Sequence, residues 1–151
     1  MIKVNVEINN KSWLKEIKQP KKYFSKKLKK VSKIVKFFKN KDITFTILFS
    51  NSPNMKKLNK KFRKKNKSTD KLSFPAFSSK SIKLMKEKKF YNGDLAVSYE
   101  IIQSRGKKNN FFKEFDKAWV HGLLHLIGYD HIRNVDYYKM LKIEKRILNL
   151  I

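Results

Sequence analysis

The 151-residue chain has no cysteine, few acidic residues and no long hydrophobic run. Without cysteine it cannot have disulfides, nor a site in which thiolates hold zinc or an iron–sulfur cluster. No stretch approaches the roughly 20 apolar residues of a membrane-spanning helix, and the amino terminus alternates in polarity, unlike a secretory signal. We therefore expect a soluble domain in the cytoplasm, with no membrane partner.

The scarcity of acids leaves the chain strongly basic: 38 Lys and Arg oppose 12 Asp and Glu, a formal net charge of +26. A charge of this size repels itself in the folded state and favours an anionic partner. Nucleic acid is the simplest such partner, because cations that bind phosphates release counterions. Most of these cations are lysine, however, and an AT-rich genome would also produce that composition. The charge therefore indicates an anionic partner and leaves the chemistry open.

Hydrophobic residues make up 40% of the chain, enough for the core of one domain. Alternation of apolar and polar residues predicts strands over residues 2–8 and 43–50, and a shorter one over 95–98. A loop is expected up to Pro20. Residues 22–39 predict a helix, because apolar side chains recur on one face. Those side chains are Phe24, Leu28, Val31, Val35 and Phe38.

Local signals predict the elements between the strands. Ser52 and Pro53 are typical of a helix start, with the Ser52 hydroxyl as the cap and Phe62 on the buried face of the helix. Residues 71–75 form a short apolar piece. A lysine- and serine-rich loop is expected over residues 76–90.

The last third of the chain is predicted to be helical. One helix, up to Gly128, is apolar on every side and is therefore expected to be buried. A final helix is expected over about 135–150, with Tyr137 among its inward residues. Because strands and helices intermix without a regular βαβ rhythm, we predict an α+β fold, with α/β as the second choice.

All three histidines lie in residues 121–131, HGLLHLIGYDH. His121 and His125 are four residues apart, the usual spacing for two imidazoles that bind one metal ion from a helix. In an otherwise apolar helix, two unpartnered imidazoles would carry a desolvation cost that a metal ion offsets. Gly128 lets the chain leave the helix, so that His131 can complete a set of three ligands. Histidines that are merely hydrogen-bonded are the alternative, and the third histidine favours the metal.

The type of ligand favours zinc, with nickel, copper or iron as alternatives. Structural zinc is normally held by four protein ligands, whereas three ligands and a water are typical of a catalytic site. Bound zinc lowers the pKa of that water to about 7, which yields hydroxide at neutral pH. The sequence therefore predicts metal-assisted hydrolysis.

The histidine spacing is also that of metzincin proteases, but Gly122 stands where those enzymes carry a catalytic glutamate. The absence of this general base argues against proteolysis. Asp130 is the nearest candidate for a base. It is equally a candidate for a carboxylate that orients an imidazole, or for a turn residue before the last helix.

These residues resemble the YbeY-type endoribonucleases, metal-dependent enzymes of ribosomal RNA maturation. The histidine block is the specific part of the resemblance, which extends over residues 40–150. Lys71 departs from the pattern, since the family usually has an aliphatic residue there. The supporting pieces are Leu58-Asn59, Phe62-Arg63, Thr69–Pro75, Gly93-Asp94-Leu95, Met140, Glu144 and Ile147-Leu148.

The resemblance implies one metal-dependent hydrolase domain over residues 1–151, with a small mixed β-sheet packed against helices and a zincin-like metal site on a buried helix. It implies that His121, His125 and His131 hold one zinc ion. Arg63 matches the family's functional arginine beside the cleft, where a guanidinium can clamp the scissile phosphate.

The implied activity is single-strand-specific cleavage of RNA at the 3′ end of 16S ribosomal RNA and in ribosome quality control. The implied partners are ribosomal RNA, the small ribosomal subunit, its proteins or an assembly GTPase. Two other functions stay open. A non-catalytic RNA- or ribosome-binding module with a structural metal predicts a fourth protein ligand and no turnover. A hydrolase of another substrate predicts that RNA is neither bound nor cut.

Overall fold

Four strands form one mixed sheet in the order β1-β2-β4-β3. A computed structural model describes all of residues 1–151. The first, second and fourth strands run parallel, and the third is antiparallel to the fourth, so that β1 and β3 are the two edges. The strands are β1 (Ile2–Ile8), β2 (Asp42–Ser50), β3 (Lys71–Pro75) and β4 (Lys89–Ser98).

Seven helices accompany the sheet, together with a 3₁₀ turn at Lys36–Phe38. No helix combines the length and the apolar character that crossing a membrane requires. The helices are α1 (Trp13–Glu16), α2 (Pro20–Ile34), α3 (Ser52–Arg63), α4 (Ser79–Leu84), α5 (Tyr99–Gly106), α6 (Phe111–Leu126) and α7 (Asn134–Leu148).

The two faces of the sheet pack against different helices, because alternate residues of a strand point to opposite faces. Phe45, Ile47 and Val97 belong to the larger core, which they share with residues of α2, α6 and α7. Ala96 and Leu72 lie on the other face, in a small cluster with Met55 of α3. The molecule is thus a three-layer α+β fold, with α2, α6 and α7 on one side of the sheet and α3 on the other.

The predicted buried face of α2 is confirmed, since its apolar residues Phe24, Leu28 and Val31 are buried, as are Val35 and Phe38 after the helix. The predicted end of this helix is wrong. The helix ends at Ile34, and Val35 has an extended backbone that leads into the 3₁₀ turn. The β-branched residues Val31, Ile34 and Val35 lower helix propensity there, which favours an early end.

Two predictions about α3 are wrong in detail. The cap is Asn51, whose side chain accepts from the Asn54 amide at 2.9 Å, whereas the Ser52 hydroxyl is bonded to that of Ser98 at 2.7 Å. Phe62 is 55% exposed. It packs edge-on against Phe74 with a centroid distance of 5.1 Å, at the last turn of a helix that covers only part of the sheet.

Other segments contain more structure than their composition predicts. The loop expected before Pro20 includes α1, whose buried Trp13 donates to the Ser50 carbonyl at 2.9 Å. The loop expected over 76–90 contains α4 and the start of β4, because lysine and serine conceal the apolar pattern. Tyr137 is 46% exposed rather than buried, and α7 packs through other side chains, chiefly Met140 and Ile147.

Candidate metal centre

Helix α6 packs on the sheet and carries two of the three histidines. The Asn110 side chain caps the helix by accepting from the Lys113 amide at 3.1 Å. The helix packs on β3 and β4, and most of its residues are buried, as the sequence predicts. His121 and His125 lie one turn apart on the side of α6 that faces a cleft, and both are half-buried.

The chain reverses after α6 and brings back the third histidine. Gly128 has a φ of +87°, a left-handed conformation that few other residues adopt. A Cβ atom there would also stand 2.8 Å from Ile82 Cγ2, so glycine allows the close approach of α4. The Tyr129 amide donates to the Leu124 carbonyl at 3.0 Å and holds the turn. His131 thereby lies with its ring centroid 5.0 Å from that of His125.

The three imidazoles can contact one metal ion. Each offers one nitrogen, and the three nitrogens lie within 4.8 Å of one another. The Nε2 atoms of His121 and His125 are 3.0 Å apart. Two nitrogens bound to one tetrahedral zinc would be about 3.3 Å apart, from zinc–nitrogen distances of about 2.0–2.1 Å.

Hydrogen bonds on the far side of the His121 and His125 rings support this interpretation. Nδ1 of His125 lies 3.0 Å from the Tyr129 carbonyl, and Nδ1 of His121 lies 3.1 Å from a Glu144 carboxylate oxygen. Both partners are acceptors, so each Nδ1 carries the proton and each Nε2 presents a lone pair. Two lone pairs 3.0 Å apart repel each other unless a cation lies between them. The donor set therefore fits a metal ion.

The protonation state of His125 also suits a ligand. Burial, reinforced by the neighbouring His121, lowers the pKa of His125 to about 4. The ring is therefore neutral at pH 7, and a neutral imidazole is the form that binds metals.

The histidines form one wall of a cleft of about 570 Å³. The opposite wall comes from the end of α3 and from the segment that leads into β3, the edge strand. Both Arg63 and Asp130, the other residues singled out in the sequence, line this cleft. The structure thus brings all five predicted site residues together.

A family model described as Endoribonuclease YbeY matches residues 7–151. The chain belongs to the YbeY endoribonuclease family. An endoribonuclease YbeY of Pelagibacter ubique is 44% identical over 100% of this chain and 97% of its own length. Another, from Thermodesulfovibrio yellowstonii, is 35% identical over 83% of this chain and 77% of its own length.

A solved structure shares the fold of this chain. A solution structure from Thermotoga maritima has a TM-score of 0.61 and 25% identity, and the similarity covers 99% of this chain and 87% of that one. The predicted α+β class and the resemblance to YbeY proteins are both confirmed.

Gly122, the departure from the metzincin pattern, has a structural reason in this YbeY family member. A Cβ atom at this position would stand 2.8 Å from Leu95 Cδ2 and 3.2 Å from Ser73 Oγ. The position therefore faces the sheet, and a glutamate there would collide with β3 and β4 before it reached the cleft. A general base for hydrolysis has to come from another residue.

Asp130 lies in the turn between the second and third histidines. One of its carboxylate oxygens accepts from the His131 amide at 2.7 Å. Its other oxygen has no hydrogen-bond partner within the protein. Asp130 thus uses one carboxylate oxygen to hold the turn and leaves the other without a partner beside the cleft.

Sequence reasoning missed the roles of Glu144 and Asp70. The family resemblance includes Glu144 only as part of the closing helix, although it lies four residues after Met140 and three before Ile147, on the buried face of α7. The position of the Glu144 carboxylate on the buried face of α7 was the one sequence signal that could have indicated its role. Asp70 lines the cleft and accepts from Arg105 at 2.6 Å, a contact across 35 residues that no local pattern reveals.

Proposed function

We propose that this YbeY family member is a zinc-dependent endoribonuclease that cuts single-stranded RNA, with residues 1–151 acting as one catalytic domain. The curated relatives are named endoribonucleases, and an endoribonuclease acts on RNA. The observation that carries the proposal is the three-histidine cluster in a cleft that also contains Arg63. The net charge of +26 suits an RNA substrate.

We propose one zinc ion per chain, held by His121, His125 and His131. Neutral imidazoles without thiolates suit zinc, and no fourth His, Asp or Glu joins the cluster. When bound, zinc supplies a Lewis acid that activates water for attack on a phosphodiester.

Arg63 and Asp130 would act on the RNA and on the attacking water. The Arg63 guanidinium binds the scissile phosphate and offsets the charge that grows on it in the transition state. The unpartnered Asp130 oxygen accepts a proton in the cleft, while its other oxygen holds the His131 backbone in place.

The biological setting we propose is the maturation of the 3′ end of 16S ribosomal RNA and ribosome quality control in the cytoplasm. The partners would be the small ribosomal subunit with its proteins or an assembly GTPase. The support is membership of the YbeY family and the excess of positive charge.

The test measures bound metal and RNA cleavage in the same tag-free preparations. We expect about one zinc per chain and cleavage of ribosomal RNA by the native protein. His125→Ala should lose both zinc and cleavage, whereas Arg63→Ala should keep zinc and lose cleavage. Arg146→Ala, another exposed arginine, should keep both. Zinc with RNA binding and no cutting would indicate a binding module, and RNA neither bound nor cut would indicate another hydrolase.

Two substitutions separate the possible contributions of Asp130. An asparagine keeps an oxygen that accepts from the His131 amide but cannot take a proton. Asp130→Asn should therefore bind zinc as tightly as the native protein and cleave RNA more slowly, by about 10²- to 10⁴-fold. Asp130→Ala should in addition weaken zinc binding. Full activity in Asp130→Asn would exclude Asp130 as the base.

A further inference from the structure

The exposed side of α3 carries three lysines, and a fourth follows directly after the helix ends. Lys57, Lys60 and Lys61 are three and four residues apart on one face, and Lys64 comes directly after Arg63, the last residue of α3. All four border one open depression of about 540 Å³, with Asn66 as its remaining residue. We call these four residues the α3 lysine face.

No carboxylate neutralises the α3 lysine face. None of its lysines forms an ion pair, and residues 51–69 contain no Asp or Glu. The next acid along the chain, Asp70, is already bonded to Arg105 and Lys71. Like charges three and four residues apart repel and lower helix stability. Repulsion among these lysines therefore destabilises the fold, and their exposed side chains contribute nothing to the core.

The α3 lysine face is joined to the metal cleft through Arg63. This arginine lies three residues after Lys60 and lines the cleft. Lys64 then adopts a left-handed conformation with φ of 58°, which turns the chain back towards β3. The side-chain amide of the buried Asn59 donates to the Lys67 carbonyl at 2.8 Å and ties the returning chain to the helix. A phosphate on the lysines would therefore stand in a fixed relation to the cleft.

We propose that the α3 lysine face binds the backbone phosphates of single-stranded RNA next to the cut site, and so holds the strand across the cleft; this rests on the proposed endoribonuclease function. Ammonium groups on flexible stems suit phosphates of any sequence and read no bases. These contacts lie outside the reacting atoms. They therefore lower KM and leave kcat unchanged.

Helix α2 supplies a matched control. Its residues Lys22, Lys26, Lys29 and Lys33 are also exposed and follow one face of the helix at offsets of four, seven and eleven. This helix packs against β1 and α7, whereas α3 lies on the opposite face of the sheet, against β3 and β4. If the lysines reflect base composition alone, both sets affect RNA binding equally.

The experiment compares two fourfold variants of the zinc-loaded protein, K57Q/K60Q/K61Q/K64Q and K22Q/K26Q/K29Q/K33Q. Glutamine removes the charge and keeps helix propensity. Affinity for a 2′-O-methyl single-stranded RNA is measured between 50 and 200 mM salt, and gel electrophoresis checks that this RNA stays intact during the measurement. Steady-state cleavage of the unmodified RNA and the melting temperature are measured on the same preparations.

We expect the α3 variant to bind RNA about tenfold more weakly. The slope of log affinity against log salt should fall by about 2 to 3, since each phosphate that is no longer bound reduces it by about 0.7. KM should rise with kcat unchanged, and the melting temperature should stay or rise because repulsion is relieved. The α2 variant should bind within about threefold of the native protein.

Four outcomes would overturn the proposal. Equally weakened binding in both variants would assign the effect to overall charge. A lower melting temperature for the α3 variant would give its lysines a structural role. Native binding and cleavage in the α3 variant would show that the face does not contact RNA, with the proposed function intact. A native protein that neither binds nor cuts RNA would overturn the proposed function as well.

Discussion

Individual residues behind the histidines decide how the metal centre is oriented. Each of the two helical histidines is held by an acceptor on Nδ1, the Tyr129 carbonyl for His125 and the Glu144 carboxylate for His121. Such partners fix the tautomer and the direction of the ligand lone pair. The carbonyl belongs to the backbone and persists in any variant, whereas Glu144 can be replaced.

Replacement of Glu144 should weaken zinc binding without unfolding the protein. We expect Glu144→Ala to lower zinc affinity by about 10- to 100-fold, because His121 loses its orienting acceptor. Glu144→Gln should lower zinc affinity less, since the amide oxygen of glutamine still accepts a hydrogen bond from His121 Nδ1. Competition with a chromophoric chelator measures the affinity, and Glu87→Ala, an exposed acid with no ion pair, is the control. An unchanged affinity in Glu144→Ala would contradict this role.

Asp70 should make the stability of the metal-free protein depend on pH. Burial raises the pKa of this carboxyl, but Lys71 and Arg105 outweigh burial, so the pKa lies below its usual value. A lowered pKa means that the carboxylate stabilises the fold above the unfolded-state pKa of about 4, and that this contribution is lost as the pH falls through the folded-state value.

The comparison of Asp70→Asn with the native protein tests this dependence. The variant should be about 1.5–3 kcal/mol less stable at pH 7, the range for hydrogen bonds to a charged group. The difference should shrink steadily below pH 4. Urea unfolding of both proteins at several pH values gives the difference directly, and Asp42→Asn, whose ion pair is exposed, should show little change. A difference that stays constant down to pH 2 would refute the assignment.

At the scale of elements, β4 holds the edge strand β3, whose residues line the cleft. The strand is irregular around Gly93, where φ is +127° and the register with β2 shifts between Thr44 and Thr46. The same residue pairs with Pro75 at the end of β3. A Cβ atom there would stand 2.3 Å from the Phe74 carbonyl oxygen. Glycine therefore permits both the irregular strand and the close approach of the edge strand.

Gly93→Ala should destabilise the protein by about 1–3 kcal/mol or more. The new methyl group strains the backbone and collides with a carbonyl that cannot move independently of β3. The free energy of unfolding in urea measures the effect, and Lys89→Ala, at an exposed position of the same strand, is the control. Equal stability of the two variants would show that β3 can shift to accommodate a side chain.

At the scale of the whole molecule, the metal centre lies beside the hydrophobic cores rather than within them. The larger core of 27 buried residues contains neither a histidine nor a cleft residue such as Arg63 or Asp130. The fold therefore does not depend on the metal, unlike small zinc domains that unfold without it.

Removal of the metal should leave the fold intact and lower its melting temperature. We expect an unchanged far-ultraviolet circular dichroism spectrum after chelation, since both cores persist. The melting temperature should rise again with added zinc and keep rising as free zinc exceeds its dissociation constant, because zinc binds the native state. His125→Ala should melt at one temperature whatever the zinc concentration. Loss of the spectrum on chelation would give the metal a structural role.

Local patterns were enough to predict much of the molecule. The buried face of α2 followed from a repeat within fifteen residues of chain. The histidine cluster followed from spacings of four and six residues, which one helix and one turn convert into proximity. Local patterns failed where charged or polar residues conceal an element, as in α4 and the start of β4, and where burial depends on how far a neighbour extends, as at Phe62.

The sequence by itself determined the α+β class, the buried helix and the three clustered histidines, because each depends on residues close together in the chain. Only the tertiary structure decided which distant residues complete the site. Arg63 is the last residue of α3, Asp70 directly precedes β3, and Glu144 comes from α7, 23 residues after its partner His121. Their contacts arise when α6 packs on the sheet, and no spacing within the chain encodes that packing.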